Sequence, residues 1–212
     1  MKKNLKIIAV VPTYNEEKNV GRVVKEVKKY VDEVIAVIDG CVDNSLERAK
    51  KSGAIILDNK INRGLGYTLR RGSEDAIKRG ADIIVTIDSD GQHNPEDIIK
   101  LTDILVKENL DVVIGSRPHD ANMPPIKKFG NWGLAMMSRV LFGASIIDTQ
   151  SGFKAFTPNA YKKMKWGADR YSICSEIAMR IAANKLKYKE VTVKTIYGDG
   201  HGTSVTDVTD GL

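Results

Sequence analysis

The stretch VTIDSDGQHNPEDI (residues 85–98) sets Asp88 and Asp90 one residue apart, directly after an apolar, β-branched run. Two carboxylates this close repel each other unless a cation or a proton neutralises them. Oxygen ligands of this kind suit Mg2+ or Mn2+, which bind through one or two carboxylates and complete their shell with substrate phosphates. Gln92 has the same reach from the same loop, and Ser89 lies between the two acids. The other reading of the pair is the capping of a turn or of the next helix. His93 reads as a loop side chain and is assigned no metal.

Two further apolar runs end in polar signals, PTYNEE (12–17) and DGCVDNS (39–45). A third polar segment, NRGLGYTLRRG (62–72), has glycines at 64 and 66, so a dinucleotide-binding fingerprint must be tested. That pattern needs a glycine at position 69, where Leu69 stands, and it belongs after the first strand, which here runs into Pro12. Hydride transfer is therefore rejected, and no Walker A sequence is present. The two glycines either admit a phosphate or ribose close to the backbone, beside Arg63, Arg70 and Arg71, or form an ordinary turn.

The elements that must position these residues follow from hydrophobic pattern. Apolar runs at 7–11, 34–38, 54–57, 83–87 and 112–114 read as buried strands. Helical patterns fall between them at about 17–30, 45–51, 65–79 and 95–108. Asn94-Pro95-Glu96-Asp97 supplies a capping side chain, a first-turn proline and acids at the positive end of the dipole. Strands alternating with helices at this spacing imply an α/β fold, a mostly parallel central sheet covered by helices on both faces. Ligands of such sheets bind beyond the carboxyl ends of the strands, so the three polar strand ends should share one crevice.

Residues 116–130 are rich in Pro, Gly and Asn and read as a loop. A helix with aromatics and methionines (129–142), a short segment ending SGFKAF, helices near 159–166 and 172–184, and a strand at 188–194 follow. The 212 residues fit one domain, 1–212, with a nucleotide-binding half at 1–115 and an acceptor-binding half at 116–212. The tail TDVTDGL carries no stop signal, which leaves room for a longer natural chain. Cys41 and Cys174 are far apart, with no CxxC or Cys/His cluster, which argues for free thiols in a reducing compartment and against zinc. The net charge of +6 is modest; solvated helix faces or an anionic partner account for it, and no nucleic-acid partner is expected. The apolar run near the N-terminus is too short for a signal peptide or a membrane span, so the chain is expected to be cytoplasmic and soluble or peripheral.

Taken in order, VPTYNEE, DGCVDNS, NRGLGYTLRRG, DSDGQH, GSR and DTQSGFKAF resemble the family 2 inverting glycosyltransferases of GT-A fold. Within them the likeness is to dolichyl- or polyprenyl-phosphate mannose and glucose synthases, over residues 5 to about 197. The resemblance implies that Pro12, Tyr14 and Glu16 line a nucleoside pocket, with Asp39 near the base or ribose. It places Asp88 on the donor ribose or metal side, with Ser89 beside it on the donor. Asp90 and Gln92 become ligands of a Mg2+ or Mn2+ ion bridging the diphosphate, and Arg117 meets the acceptor phosphate, with Lys128 as a second phosphate contact. Two departures stand out. Many relatives read Asp-Asp-Gly-Ser where this chain has Ile38-Asp39-Gly40-Cys41, which leaves UDP and GDP donors both open. KTIYGDGHGTS lacks the arginine that clamps the diphosphate in mannose-transferring relatives, and Lys194 or His201 are the available substitutes.

The expected reaction is one in-line displacement moving a sugar from a nucleotide sugar to a polyprenyl or dolichyl phosphate at the cytoplasmic face of a membrane. A lipid phosphate is already an anion, so it needs a cation to hold it rather than a general base. Arg117, Lys127, Lys128 and Arg139 around the aromatic 129–142 segment suit a peripheral membrane contact, or equally a core-packed amphipathic helix. The alternatives are transfer to a soluble sugar or polysaccharide, with Glu176 or Asp148 as base, and a non-catalytic nucleotide-sugar-binding module.

Overall fold

The computed structural model describes residues 5–116, 151–169, 173–194 and 196. The apolar runs form β1 (Ile7–Thr13), β2 (Glu33–Asp39), β3 (Ile55–Asn59), β4 (Ile83–Thr86) and β5 (Val112–Ser116). Between them lie α1 (Val20–Val27), α2 (Ser45–Lys51), α3 (Leu65–Lys78) and α4 (Asp97–Lys107). The chain continues with β6 (Lys154–Phe156), α5 (Pro158–Met164), α6 (Ile173–Ala183) and β7 (Tyr188–Thr192).

These strands form one sheet in the order β3-β2-β1-β4-β6-β5-β7. All neighbours are parallel except β6, which runs antiparallel to both β4 and β5. Helices cover both faces, which is why the middles of β1, β2 and β4 are continuous apolar runs instead of alternating. On one face Val20, Val23, Val24 and Val27 of α1 and Ile98, Leu101 and Leu105 of α4 pack on Val11, Ile38 and Val85. On the other, Leu69 of α3, Tyr161 and Met164 of α5 and Ile177 of α6 pack on Val10, Val37 and Ile84. The expected α/β sheet is thus formed.

Local chemistry explains where the elements depart from the sequence pattern. Helix α1 starts at Val20 instead of 17, because the Glu16 carbonyl accepts the amides of both Asn19 and Val20 and closes a turn first. Asn94 Oδ1 accepts the Glu96 amide at 3.2 Å, and α4 begins only at Asp97. Helix α5 is capped by the Thr157 hydroxyl, which accepts the Ala160 amide at 3.0 Å. Pro12 sits in an interior strand without loss. The Val10 carbonyl accepts Ile87 N, so Val10 and Pro12 face β4, and that ladder ends at the Val10–Thr86 pair.

Among the described residues no helix is long and apolar enough to cross a membrane. Among the described residues Cys41 and Cys174 form no disulfide. The aromatic 129–142 segment lies outside the described residues, as do Arg117, Lys127, Lys128, Arg139, Asp148 and His201.

Candidate active site

The strand order reverses at β1, with β2 and β3 to one side and β4 to the other. In parallel α/β sheets ligands bind beyond the strand ends at such a switch point, which here falls between PTYNEE and DSDGQH. The loops after β1 and β2 are stitched together. Asn15, at φ 50°, gives its amide to Cys41 Sγ at 3.3 Å, and its Oδ1 accepts the Val42 amide at 3.0 Å. Glu16 N donates to Ser45 Oγ at 2.8 Å and Glu17 N to Asp43 Oδ2 at 3.0 Å. The Glu16 carboxylate accepts Asn19 Nδ2, while Tyr14 stands 53% exposed beside it. Burial pushes the Cys41 thiol up in pKa, and its Sγ also donates to the Thr13 carbonyl at 3.4 Å.

Asp39 ends β2 and is only 4% exposed. Its Oδ1 accepts Asn59 Nδ2 at 2.8 Å and the Arg63 amide at 2.9 Å, and its Oδ2 accepts the Gly64 amide at 2.8 Å. Arg71 donates in turn to Asn59 Oδ1 and to the Asp58 carbonyl. The carboxylate therefore fixes the 60–64 loop.

The glycines of NRGLG are used by the protein itself. Gly64, at φ 90°, presents its amide to Asp39. Gly66 lets the 168–169 backbone come in close: its amide donates to the Asp169 carbonyl at 2.8 Å, and a Cβ there would overlap the Ala168 carbonyl oxygen. Trp166 Nε1 donates to the Gly66 carbonyl at 3.0 Å, and Arg70 pairs with Asp169 at 2.6 Å. The first turn of α3 thus receives a peptide carbonyl where a phosphate was one expectation. Arg63 remains exposed, its guanidinium 4.7 Å above the Tyr67 ring.

Glu176 holds the other side of this contact. It accepts the amides of Gly167 at 3.0 Å and Ala168 at 2.7 Å, and Arg180 at 3.0 Å. Burial would raise its pKa, but these donors outweigh burial and hold the carboxyl below its usual range. A carboxylate whose oxygens are engaged by these donors has little capacity left to take a proton as a general base.

The acidic loop after β4 rests on the lead-in to β6. Thr86 Oγ1 donates to the Gly152 carbonyl at 2.7 Å, and a Cβ at Gly152 would overlap both oxygens of Asp88. Asp90 Oδ1 accepts the Gln92 amide at 2.9 Å, and the Gln92 carbonyl accepts the Ile196 amide at 2.8 Å. Gly91, at φ 79°, carries the Arg22 guanidinium against its bare Cα. Among the described residues no group of three His, Cys, Asp or Glu could hold a metal by itself. Two half-exposed carboxylates on one loop still fit Mg2+ or Mn2+, which take water and phosphate oxygens for the rest of their shell.

The structure thus brings Pro12, Tyr14, Glu16, Asp39, Asp88, Ser89, Asp90 and Gln92 to one edge of the sheet, the ends of β1, β2 and β4. Sequence reasoning missed two residues here. Lys154, 4% exposed, turns its ammonium onto the Ser151 carbonyl beneath Asp88's loop. His93 is 5% exposed and packs on Phe153 at 5.1 Å, with Nε2 3.5 Å from Asp88 Oδ2. A charged or polar residue flanked by core aromatics was the available signal for Lys154; His93, in a polar run, offered none.

Comparison with known proteins now bears on this geometry. Residues 8–164 match the family model described as glycosyl transferase family 2. An uncharacterized protein of Methanocaldococcus jannaschii is 39% identical over 97% of this chain and 88% of its own length. The UDP-N-acetylglucosamine–dolichyl-phosphate N-acetylglucosaminyltransferase of Methanococcus voltae is 36% identical over 94% of this chain and 90% of its own. Among solved structures, glucosyl-3-phosphoglycerate synthase of Mycobacterium tuberculosis, in complex with Mg2+ and UDP, superposes with a TM-score of 0.77. That match covers 97% of this chain and 74% of the other at 19% identity, a likeness of fold alone. The chain accordingly belongs to glycosyl transferase family 2, with the GT-A fold.

Proposed function

We propose that the chain moves a sugar, with inversion, from a UDP- or GDP-linked donor to a polyprenyl or dolichyl phosphate at the cytoplasmic face of a membrane. The observation that carries this reading is the near full-length similarity to the M. voltae enzyme named for a dolichyl-phosphate acceptor. The donor side draws on Pro12, Tyr14 and Glu16 at the end of β1, with Ser89 on the facing loop. Asp39 serves the nucleoside end by holding the 60–64 loop in place. Asp88, Asp90 and Gln92 hold a Mg2+ or Mn2+ ion, which when bound offsets the charge gathering on the leaving diphosphate.

The engaged carboxylate of Glu176 supports an acceptor that brings its own negative charge and needs no base. Arg117, the residue after β5, and Lys128 are the cations assigned to the acceptor phosphate. The test is a panel of labelled nucleotide sugars incubated with the full chain, Mn2+ and a polyprenyl phosphate, then extracted into organic solvent. Label in the organic phase, dependent on both lipid phosphate and one nucleotide sugar, is expected. Ready transfer to soluble sugars with none to lipid across the panel would overturn the reading, and donor binding without any turnover would leave a binding module.

A further inference from the structure

We propose that His93 is a positioning residue, one that orients the Asp88 carboxylate toward the metal edge of the site. The inference rests on the reading of Asp88 as a residue of the metal and donor site.

The imidazole is almost fully buried and lies against Phe153 with ring planes tilted by 49°. Its Nε2 is 3.5 Å from Asp88 Oδ2, longer than an N–H···O hydrogen bond, and contacts of this kind are often long before ligands bind and tighten afterwards. Its Nδ1 is also buried and has no hydrogen-bond partner among the described residues. A buried nitrogen without a partner opposes folding, and native proteins rarely carry one without a local reason. Packing does not supply that reason. A phenyl ring would fill the same slot against Phe153 and leave no polar atom stranded.

The contact at Nε2 does supply it. Asp88 is flanked on its other side by Gly152, whose missing side chain leaves just enough room for both carboxylate oxygens. Gly152 is itself pinned by the Thr86 hydroxyl at its carbonyl. The carboxylate thus has a bare Cα on one side and an imidazole edge on another, and His93 bears on its orientation from that second side. Groups that orient a metal-ligating carboxylate typically change metal affinity by about 10–100-fold when removed.

The experiment compares the full chain with His93→Phe and His93→Gln. Mn2+ affinity is read by electron paramagnetic resonance in the presence of UDP and then GDP, and stability by urea unfolding. His93→Phe keeps the packing, so its urea midpoint should equal or exceed that of the parent, while Mn2+ binding weakens about tenfold. His93→Gln carries an amide nitrogen near the position of Nε2 and should stay within about twofold of the parent. Unchanged Mn2+ affinity in His93→Phe overturns the proposal, as does a His93→Gln variant that loses as much as His93→Phe. A His93→Phe chain much less stable than its parent overturns it too, since packing would then account for the ring. Failure of the parent to bind Mn2+ with either nucleotide overturns the metal reading itself, and the role of His93 with it.

Discussion

Replacing Asp39 with alanine tests whether this acid acts through the 60–64 loop. The change removes one acceptor from each of three donors, Asn59 Nδ2 and the amides of Arg63 and Gly64. Hydrogen bonds to a charged group contribute about 1.5–3 kcal/mol each. They are not additive, and desolvating the buried carboxylate offsets part of their sum. The exposed backbone around Arg63 can also recover water. A net loss of about 2–4 kcal/mol is expected, which at about 2–4 °C per kcal/mol lowers the melting temperature by roughly 5–15 °C. Asp39→Asn should lose about half as much, because one oxygen still accepts while the amide group faces a donor. Calorimetry should show weaker binding of the nucleoside diphosphate in both variants, graded in the same order as the melting temperatures. An Asp39→Ala chain that melts within about 2 °C of the parent yet no longer binds nucleotide would refute this reasoning, since the carboxylate would then touch the ligand itself.

Asp90→Ala should abolish transfer and chelation should mimic it, with urea stability changed by no more than about 1 kcal/mol because the Gln92 amide it accepts belongs to the same half-exposed loop; full turnover in excess chelator would refute the metal assignment. Gly66→Ala improves helix propensity but drives a Cβ into the Ala168 carbonyl, so a net loss of about 1–2 kcal/mol is expected in thermal melts. Glu176→Gln should be less stable than the parent at neutral pH. The native carboxyl is the stronger acid, so its stabilisation is present above the unfolded value of about 4.3 and is lost as pH falls through the lower native one. Urea titrations at several pH values should show the two chains converging at the acid end. Arg117→Ala should slow transfer to lipid phosphate by roughly ten- to a hundredfold, while nucleotide binding measured by calorimetry stays unchanged.

The doubly covered strands were the most legible part of the chain, since burial on both faces forces continuous runs such as Ile7-Ile8-Ala9-Val10-Val11. The acids after β4 were legible for the same reason: a polar pair abutting such a run has to lie at its end. Less could be read where partners are distant in sequence. Three residues of β6 show no periodicity, and their pairing with β4 and β5 depends on the whole sheet. The hold of Asp39 on the 60–64 loop could not be read, because its donors lie far along the chain. Gly66 invites a phosphate until Ala168 arrives from across the domain.

Strand β6 also has a consequence for how the chain must be made. During synthesis β1 to β4 can zip together as soon as Thr86 has emerged, since each pairs with a strand already present. The outer edge of β4, Ile83-Ile84-Val85-Thr86, then waits for residues 154–156, because β5 never pairs with it directly. An apolar, β-branched edge left open for that interval is a template for pairing between nascent chains. A fragment ending before residue 150 should therefore aggregate even though it holds every residue of the donor side. The Asp88 carboxylate gains its Gly152 neighbour in the same event that seals this edge.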